Sequence, residues 1–145
     1  MNIQPAFLKS VLLVDDDKVT NLMHARLIRR SGLVNSIEVA TDGIAALQNL
    51  EERRVKVTPM PELILLDINM PRMDGFEFLE RYGRDAAHVE STQTLIIMLS
   101  TSILHADQAR AEADPNVHKF VSKPIKISQI QSLVAAHHAH FSPDA

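Results

Sequence analysis

Acids, hydroxyls and one lysine stand at the ends of short apolar runs. "SVLLVDDD" closes on Asp15, Asp16 and Asp17, and "LILLD" ends in Asp67. "LIIMLSTS" ends in Ser100, Thr101 and Ser102, and "FVSKP" places Lys123 before a proline. A lone carboxylate where a buried run leaves the core is costly unless it is wet or paired. If Asp15, Asp16 and Asp67 converge they repel, and one pair at about 4 Å costs about 4 kcal/mol at an effective dielectric near 20. A hard divalent cation relieves this, and Mg²⁺ takes a few carboxylate oxygens while keeping waters that a phosphate can replace. Asp67 would then have one oxygen for metal and one to attack phosphorus. Lys123 and the Ser100 hydroxyl could hold the other phosphoryl oxygens as charge develops. The chemistry is phosphoryl transfer through an aspartyl-phosphate.

Convergence requires elements that bring these ends together. Apolar runs alternate with amphipathic segments along the chain. The runs "SVLLV" (10–14), "SIEVAT" (36–41), "ELILL" (62–66), "TLIIML" (94–99) and "VHKFVS" (117–122) read as strands. Between and after them lie five helical segments. The first, "DKVTNLMHARLIRRSG", has Val19, Leu22, Met23 and Leu27 as its apolar face and Gly32 as its C-terminal cap. Asp42 can cap "GIAALQNLEERR", whose last turn carries Arg53 and Arg54 at the negative end of the dipole. "GFEFLERY" stops at Gly83, "ILHADQARAEA" runs to the turn "DPN", and "SQIQSLVAAHHAH" closes the series. The alternation predicts an α/β fold, a mostly parallel five-stranded sheet with helices on both faces. In such sheets ligands bind outside the carboxyl ends of the strands, where these residues fall.

The 145 residues fit a single domain, 1–145, with residues 1–8 and 141–145 as short tails. The absence of cysteine excludes disulfides, thiolate catalysis and Cys-ligated metal, and fits a reducing compartment. A net charge of −3 without a block of Lys or Arg argues against nucleic acid as the main ligand. Without a membrane-length apolar run or a signal peptide, the expected location is the cytoplasm.

"VDD" after the first strand, "LLDINMPRMDG" after the third, a hydroxyl residue after the fourth and "KP" after the fifth resemble a response-regulator receiver domain of two-component signalling, most nearly its stand-alone, CheY-like form. The resemblance covers about residues 9 to 140. It implies a flavodoxin-like (βα)5 fold with strand order 2-1-3-4-5. It makes Asp67 the phosphoacceptor, Asp16 a direct Mg²⁺ ligand, Asp15 a ligand directly or through water, and Asn69 a ligand through its backbone carbonyl. Ser100 would bind phosphate through its hydroxyl, Thr101 through its N–H and Lys123 through its ammonium, with a cis Lys123–Pro124 bond. Ser100 and Phe120 take the switch positions, although Phe120 lacks the hydroxyl of the more common Tyr. The implied function is a stand-alone regulator that is phosphorylated by a histidine kinase or phosphotransfer protein and signals through a phosphorylation-dependent protein-binding face. It is not an enzyme beyond its own phosphorylation and slow dephosphorylation. A water attacking the phosphoryl group would pass Asn69 and Ser102, neither of them a strong base.

Two other readings stay open on sequence alone. "VLLVDDDKV" fits a haloacid-dehalogenase-type phosphatase with Asp15 as nucleophile and Asp17 as acid, but only Asp144 follows Lys123 to supply that family's further acidic pair. A receiver fold could also serve as a binding module without phosphorylation, though crowded carboxylates would then be needless. His137 and His140 in "HHAH" have a metal-like spacing, but read better as exposed helix-end residues.

Overall fold

The computed structural model describes residues 7–84, 93–101 and 104–141. Within them five strands alternate with five helices: β1 (Leu8–Val14), α1 (Lys18–Ser31), β2 (Val34–Ala40), α2 (Gly43–Val55), β3 (Leu63–Asp67), α3 (Gly75–Arg84), β4 (Leu95–Ser100), α4 (His105–Ala113), β5 (Val117–Ser122) and α5 (Ile127–Phe141). The strands form one parallel sheet in the order β2-β1-β3-β4-β5, as the resemblance implied. β3 spans Leu63–Asp67 and β4 spans Leu95–Ser100, so each ends on a residue singled out for chemistry.

The central strands are apolar throughout because both sheet faces are covered. Side chains alternate between the faces with the period of two that a strand imposes. Leu12, Val14, Ile64, Leu66, Ile96 and Met98 pack under α2, α3 and α4 through Leu50, Phe78, Leu79 and Ala111. Val11, Leu13, Leu63, Leu65, Ile97 and Leu99 pack under α1 and α5 through Ile28, Ile130, Leu133 and Val134. Phe78, Leu12, Ile64 and Leu66 are fully buried. Truncating one such leucine to alanine typically costs about 2–5 kcal/mol, so the sheet is a stiff platform for whatever its edge carries.

The helix ends follow the expected chemistry at two places. Gly32 adopts φ 68 and its N–H donates to the Arg29 carbonyl, a left-handed cap that glycine tolerates. The Asp42 carboxylate accepts from the Ala45 N–H at 2.8 Å at the start of α2.

Three expectations need correction. The apolar residues of α1 do not form its buried face: Val19, Leu22 and Met23 are 69, 59 and 49 % exposed, and Leu27 is only half-buried. The helix is turned so that Asn21, His24, Ala25 and Ile28 face the sheet. Rotation buries two polar side chains, and both find backbone partners there. Gly83 does not stop α3, which continues to Arg84. A Cβ at Gly83 would come 3.0 Å from Asn116 Nδ2, a side-chain end that can move aside. His137 is not an exposed helix-end residue either: it is 5 % exposed, and its Nε2–H donates to the Gln93 carbonyl at 2.6 Å. His138 and His140 are exposed as expected.

Candidate functional site

β1 and β3 lie side by side, pairing Val14 with Leu66, so the residues that follow them emerge together at one sheet edge. β4 pairs Leu99 with Asp67, and β5 pairs Ser122 with Ser100. Four strand ends therefore meet at the carboxyl edge, and Lys123 is the next residue along β5. The carboxylates of Asp15, Asp16 and Asp67 offer oxygens that all lie within 4.8 Å of one another. Among the described residues this is the only group of three or more such side chains placed to share an ion.

Lys123 Nζ sits between two of the three acids, 2.6 Å from Asp15 Oδ2 and 2.8 Å from Asp67 Oδ1. All three side chains are at least nine-tenths buried. Burial pushes the Asp67 carboxyl above the usual carboxylate range; the Lys123 hydrogen bond pulls against this, while Asp15 and Asp16 add to it. Burial works against the Lys123 ammonium, but its hydrogen bonds to Asp15 and Asp67 outweigh that and raise its pKa. One ammonium against three carboxylates leaves the pocket electronegative, which favours a cation.

The donor set fits a hard divalent ion such as Mg²⁺, being oxygen throughout. The three acids are not equivalent. Asp15 already spends Oδ1 on the Asp17 N–H at 2.9 Å and Oδ2 on Lys123. Asp16 is exposed at the rim. The arrangement suits direct ligation by Asp16 and Asp67, with Asp15 acting through water. Asn69 lies two residues beyond Asp67 with its side chain exposed.

The loop after β3 is built around Asp67. The Gly75 N–H donates to the Ile68 carbonyl at 2.8 Å. A Cβ on Gly75 would stand 2.6 Å from the Asp67 carbonyl oxygen, so only glycine lets α3 start this close to the acid. Asp74 and Glu77 cap α3 reciprocally, Asp74 Oδ1 accepting from the Glu77 N–H and Glu77 Oε1 from the Asp74 N–H. Met73 is buried against Gly43, and Arg72 pairs with the buried Asp42 at the start of α2. Each letter of "MPRMDG" after Pro71 thus fixes the loop that carries Asp67.

On the other side, the Lys123 N–H donates to the Ser100 carbonyl at 2.8 Å. The Lys123–Pro124 bond is cis, as the resemblance implied. Ser100 is buried at the end of β4, and Thr101 is exposed beside Lys123 at the wall of a small cavity. Phe120 is half-buried against the core under α2, α3 and α4, paired in register with Met98. Ser102 lies outside the described residues.

Two residues near the site were missed in the sequence. Asn21 Nδ2 donates to the Asp15 carbonyl at 2.8 Å, and His24 Nε2 accepts from the Ile125 N–H at 3.4 Å. Their spacing of three along α1 was visible, but polar residues on a helix default to the solvent side.

Known proteins match this geometry. The family model of the response regulator receiver domain matches residues 11–135. The chain belongs to that family. A two-component response regulator from Cytophaga hutchinsonii superposes with a TM-score of 0.85 at 32 % identity, covering 92 % of this chain and 98 % of that one. A two-component response regulator from Legionella pneumophila gives a TM-score of 0.75 at 28 % identity, over 90 % and 98 % of the two chains. Response regulator Rcp1 of Synechocystis sp. is 26 % identical over 127 residues, 87 % of this chain and 84 % of that protein. Some relatives are methylesterases, such as one from Burkholderia thailandensis at 30 % identity, of which this chain spans 29 %. The receiver domain itself is a signalling module rather than the catalytic part. Membership leaves no ground for the phosphatase reading, which also needs as nucleophile an Asp15 whose two oxygens are already engaged. No helix among the described residues is long and apolar enough to cross a membrane.

Proposed function

We propose that this protein is a receiver whose Asp67 takes a phosphoryl group from a phosphohistidine of a histidine kinase or phosphotransfer protein. The observation that carries this reading is the placement of Lys123 Nζ between buried Asp15 and Asp67, with a carboxylate oxygen of Asp16 within 4.8 Å of theirs. An Asp67 oxygen attacks phosphorus, the N–P bond breaks, and the imidazole nitrogen keeps the electron pair. Asp16, Asp67 and the Asn69 carbonyl, with Asp15 through water, would hold Mg²⁺, which when bound would supply charge neutralisation at the phosphoryl oxygens. Lys123 moves its hydrogen bond from the carboxylate to a phosphoryl oxygen, while the Ser100 hydroxyl and the Thr101 N–H bind the others.

The exposed apolar side chains Val19, Leu22 and Met23 support docking of a donor protein beside Asp67, since such residues cluster on a helix that starts at the site. Output runs through a protein-binding face that responds when Ser100 is drawn inward and Phe120 fills the vacated space. The protein acts in the cytoplasm, with neither nucleic acid nor membrane as its target.

The test is incubation with acetyl phosphate and Mg²⁺, read by intact mass. A receiver gains a single phosphoryl group, loses it slowly, and gains none in EDTA. Metal-independent labelling, or no labelling at all, contradicts the proposal, the latter leaving a binding module.

A further inference from the structure

The turn after β5 delivers Lys123, and its backbone has few anchors. The Lys123 N–H is held by the Ser100 carbonyl at 2.8 Å. Pro124 has no N–H to give. The next N–H, that of Ile125, donates to His24 Nε2 at 3.4 Å, and the Lys126 N–H bonds forward to Gln129 at the start of α5. Beyond the Lys123–Ser100 bond, the imidazole of His24 is thus the backbone tie that holds this turn between strand and helix to α1 among the described residues.

His24 is an odd choice for its place. It is 2 % exposed on α1, while Val19, Leu22 and Met23 of the same helix face outward. Burying an imidazole is unfavourable unless its nitrogens are used. A leucine would fill this position against Ile28 and Ile125 at less cost if packing were the whole requirement. The neighbouring cavities, about 160 Å³ against Lys123 and about 270 Å³ against Ile125, both have His24 and Pro124 in their walls. The ring therefore stands between the lysine turn and α1. Asn21, one turn earlier, makes the matching bond to the Asp15 carbonyl on the acid side of the pocket.

We propose that His24 is a positioning residue for Lys123: its neutral imidazole, accepting the Ile125 N–H, holds the turn that keeps the ammonium over Asp67. This inference rests on the phosphoacceptor reading above. To accept through Nε2, the ring must carry its proton on Nδ1. Burial lowers the pKa of His24, with Asp15 opposing and Lys123 adding to the effect, which keeps the acceptor available near neutral pH. Glutamine can put an oxygen where Nε2 lies; leucine fills the space but accepts nothing.

The experiment compares rates of Asp67 labelling by acetyl phosphate in saturating Mg²⁺ for the wild type, His24→Leu and His24→Gln, each also carrying Lys123→Ala. His24→Leu is expected to slow labelling about tenfold and His24→Gln to recover to within about threefold of wild type. In the Lys123→Ala background His24→Leu should change the rate by less than about twofold, because coupled residues are not additive. Wild-type labelling in His24→Leu, a Gln variant as slow as Leu, or an equal loss with and without Lys123 would each overturn the proposal. If the wild type takes no phosphoryl group, the phosphoacceptor reading fails instead. The ¹⁵N signals of the His24 ring then decide the contact by themselves: an unprotonated Nε2 upholds it, and a proton on Nε2 overturns it.

Discussion

Lys123 Nζ lies 2.8 Å from Asp67 Oδ1 although the two residues enter the site from strands that do not touch, since β4 runs between them. The lysine crosses the end of β4 to reach the acid, and in doing so also meets Asp15 at 2.6 Å. It serves as the pocket's own cation, and phosphoryl transfer must give it a better partner than a carboxylate.

That cluster is a local burden on stability. Burial first, then Asp15 and Asp16, hold the Asp67 carboxyl above its ordinary 3.8 against the pull of Lys123. The folded state therefore binds this proton more tightly than the unfolded chain. The stabilisation is full below about 3.8 and is lost as pH rises through the raised value. Asp67→Asn should raise the unfolding midpoint of the metal-free protein at pH 7 by a few degrees, with the gain shrinking toward about pH 4. Thermal unfolding in EDTA checks this, and a less stable variant at pH 7 would show that the Lys123 pair outweighs the repulsion.

Gly75→Ala should disturb the acid directly. The added methyl would meet the Asp67 carbonyl at 2.6 Å and Ile68 Cα at 3.1 Å, both backbone atoms that cannot swing aside. Overpacking of this kind costs about 1–3 kcal/mol. The expected result is a loss of that size in chemical denaturation together with slower acetyl-phosphate labelling; unchanged labelling would mean that the β3–α3 turn does not set the acid's position.

The lifetime of the phosphoryl group should depend on the exposed side chain of Asn69. A water must approach phosphorus in line, and a bulky residue there obstructs it without removing the backbone carbonyl assigned to the metal. Asn69→Arg is expected to lengthen the phosphoprotein lifetime several-fold in excess Mg²⁺, followed by intact mass after the donor is removed. Decay at the wild-type rate would place the side chain away from the water path.

Away from the site, Val57 carries strain without an evident return. It follows α2 with φ 56, is 89 % exposed, and its N–H caps the Arg54 carbonyl at 3.2 Å. A β-branched residue in the left-handed region is disfavoured by about 1–2 kcal/mol. Val57→Gly should therefore stabilise the protein by about 1 kcal/mol, read as a higher denaturation midpoint with an unchanged slope.

The site was legible because its residues interrupt apolar runs: Asp67 is conspicuous where the buried strand β3 leaves the core, and Lys123 where it follows "FVS" and precedes a proline. The sheet and its two covered faces followed from uninterrupted runs such as "LILL". The strand order did not follow from periodicity and came through the resemblance. The orientation of α1 was illegible for a physical reason. Counting apolar side chains favours Val19, Leu22 and Met23, but the helix turns on the needs of Asn21 and His24, and the partner of His24 lies 101 residues away at Ile125. His137 was misjudged likewise, its acceptor at Gln93 being 44 residues distant. Gly75 was visible only as part of a motif, because its function is the absence of an atom near Asp67.

Labelling of Asp67→Asn decides whether Asp67 is the phosphoacceptor. Wild type and variant are incubated with acetyl phosphate and Mg²⁺ and read by intact mass and peptide mapping. The wild type should gain one phosphoryl group, located at Asp67, and the folded variant none. Full labelling of Asp67→Asn, or a phosphoryl group mapped to Asp15 or Asp16, would contradict this assignment.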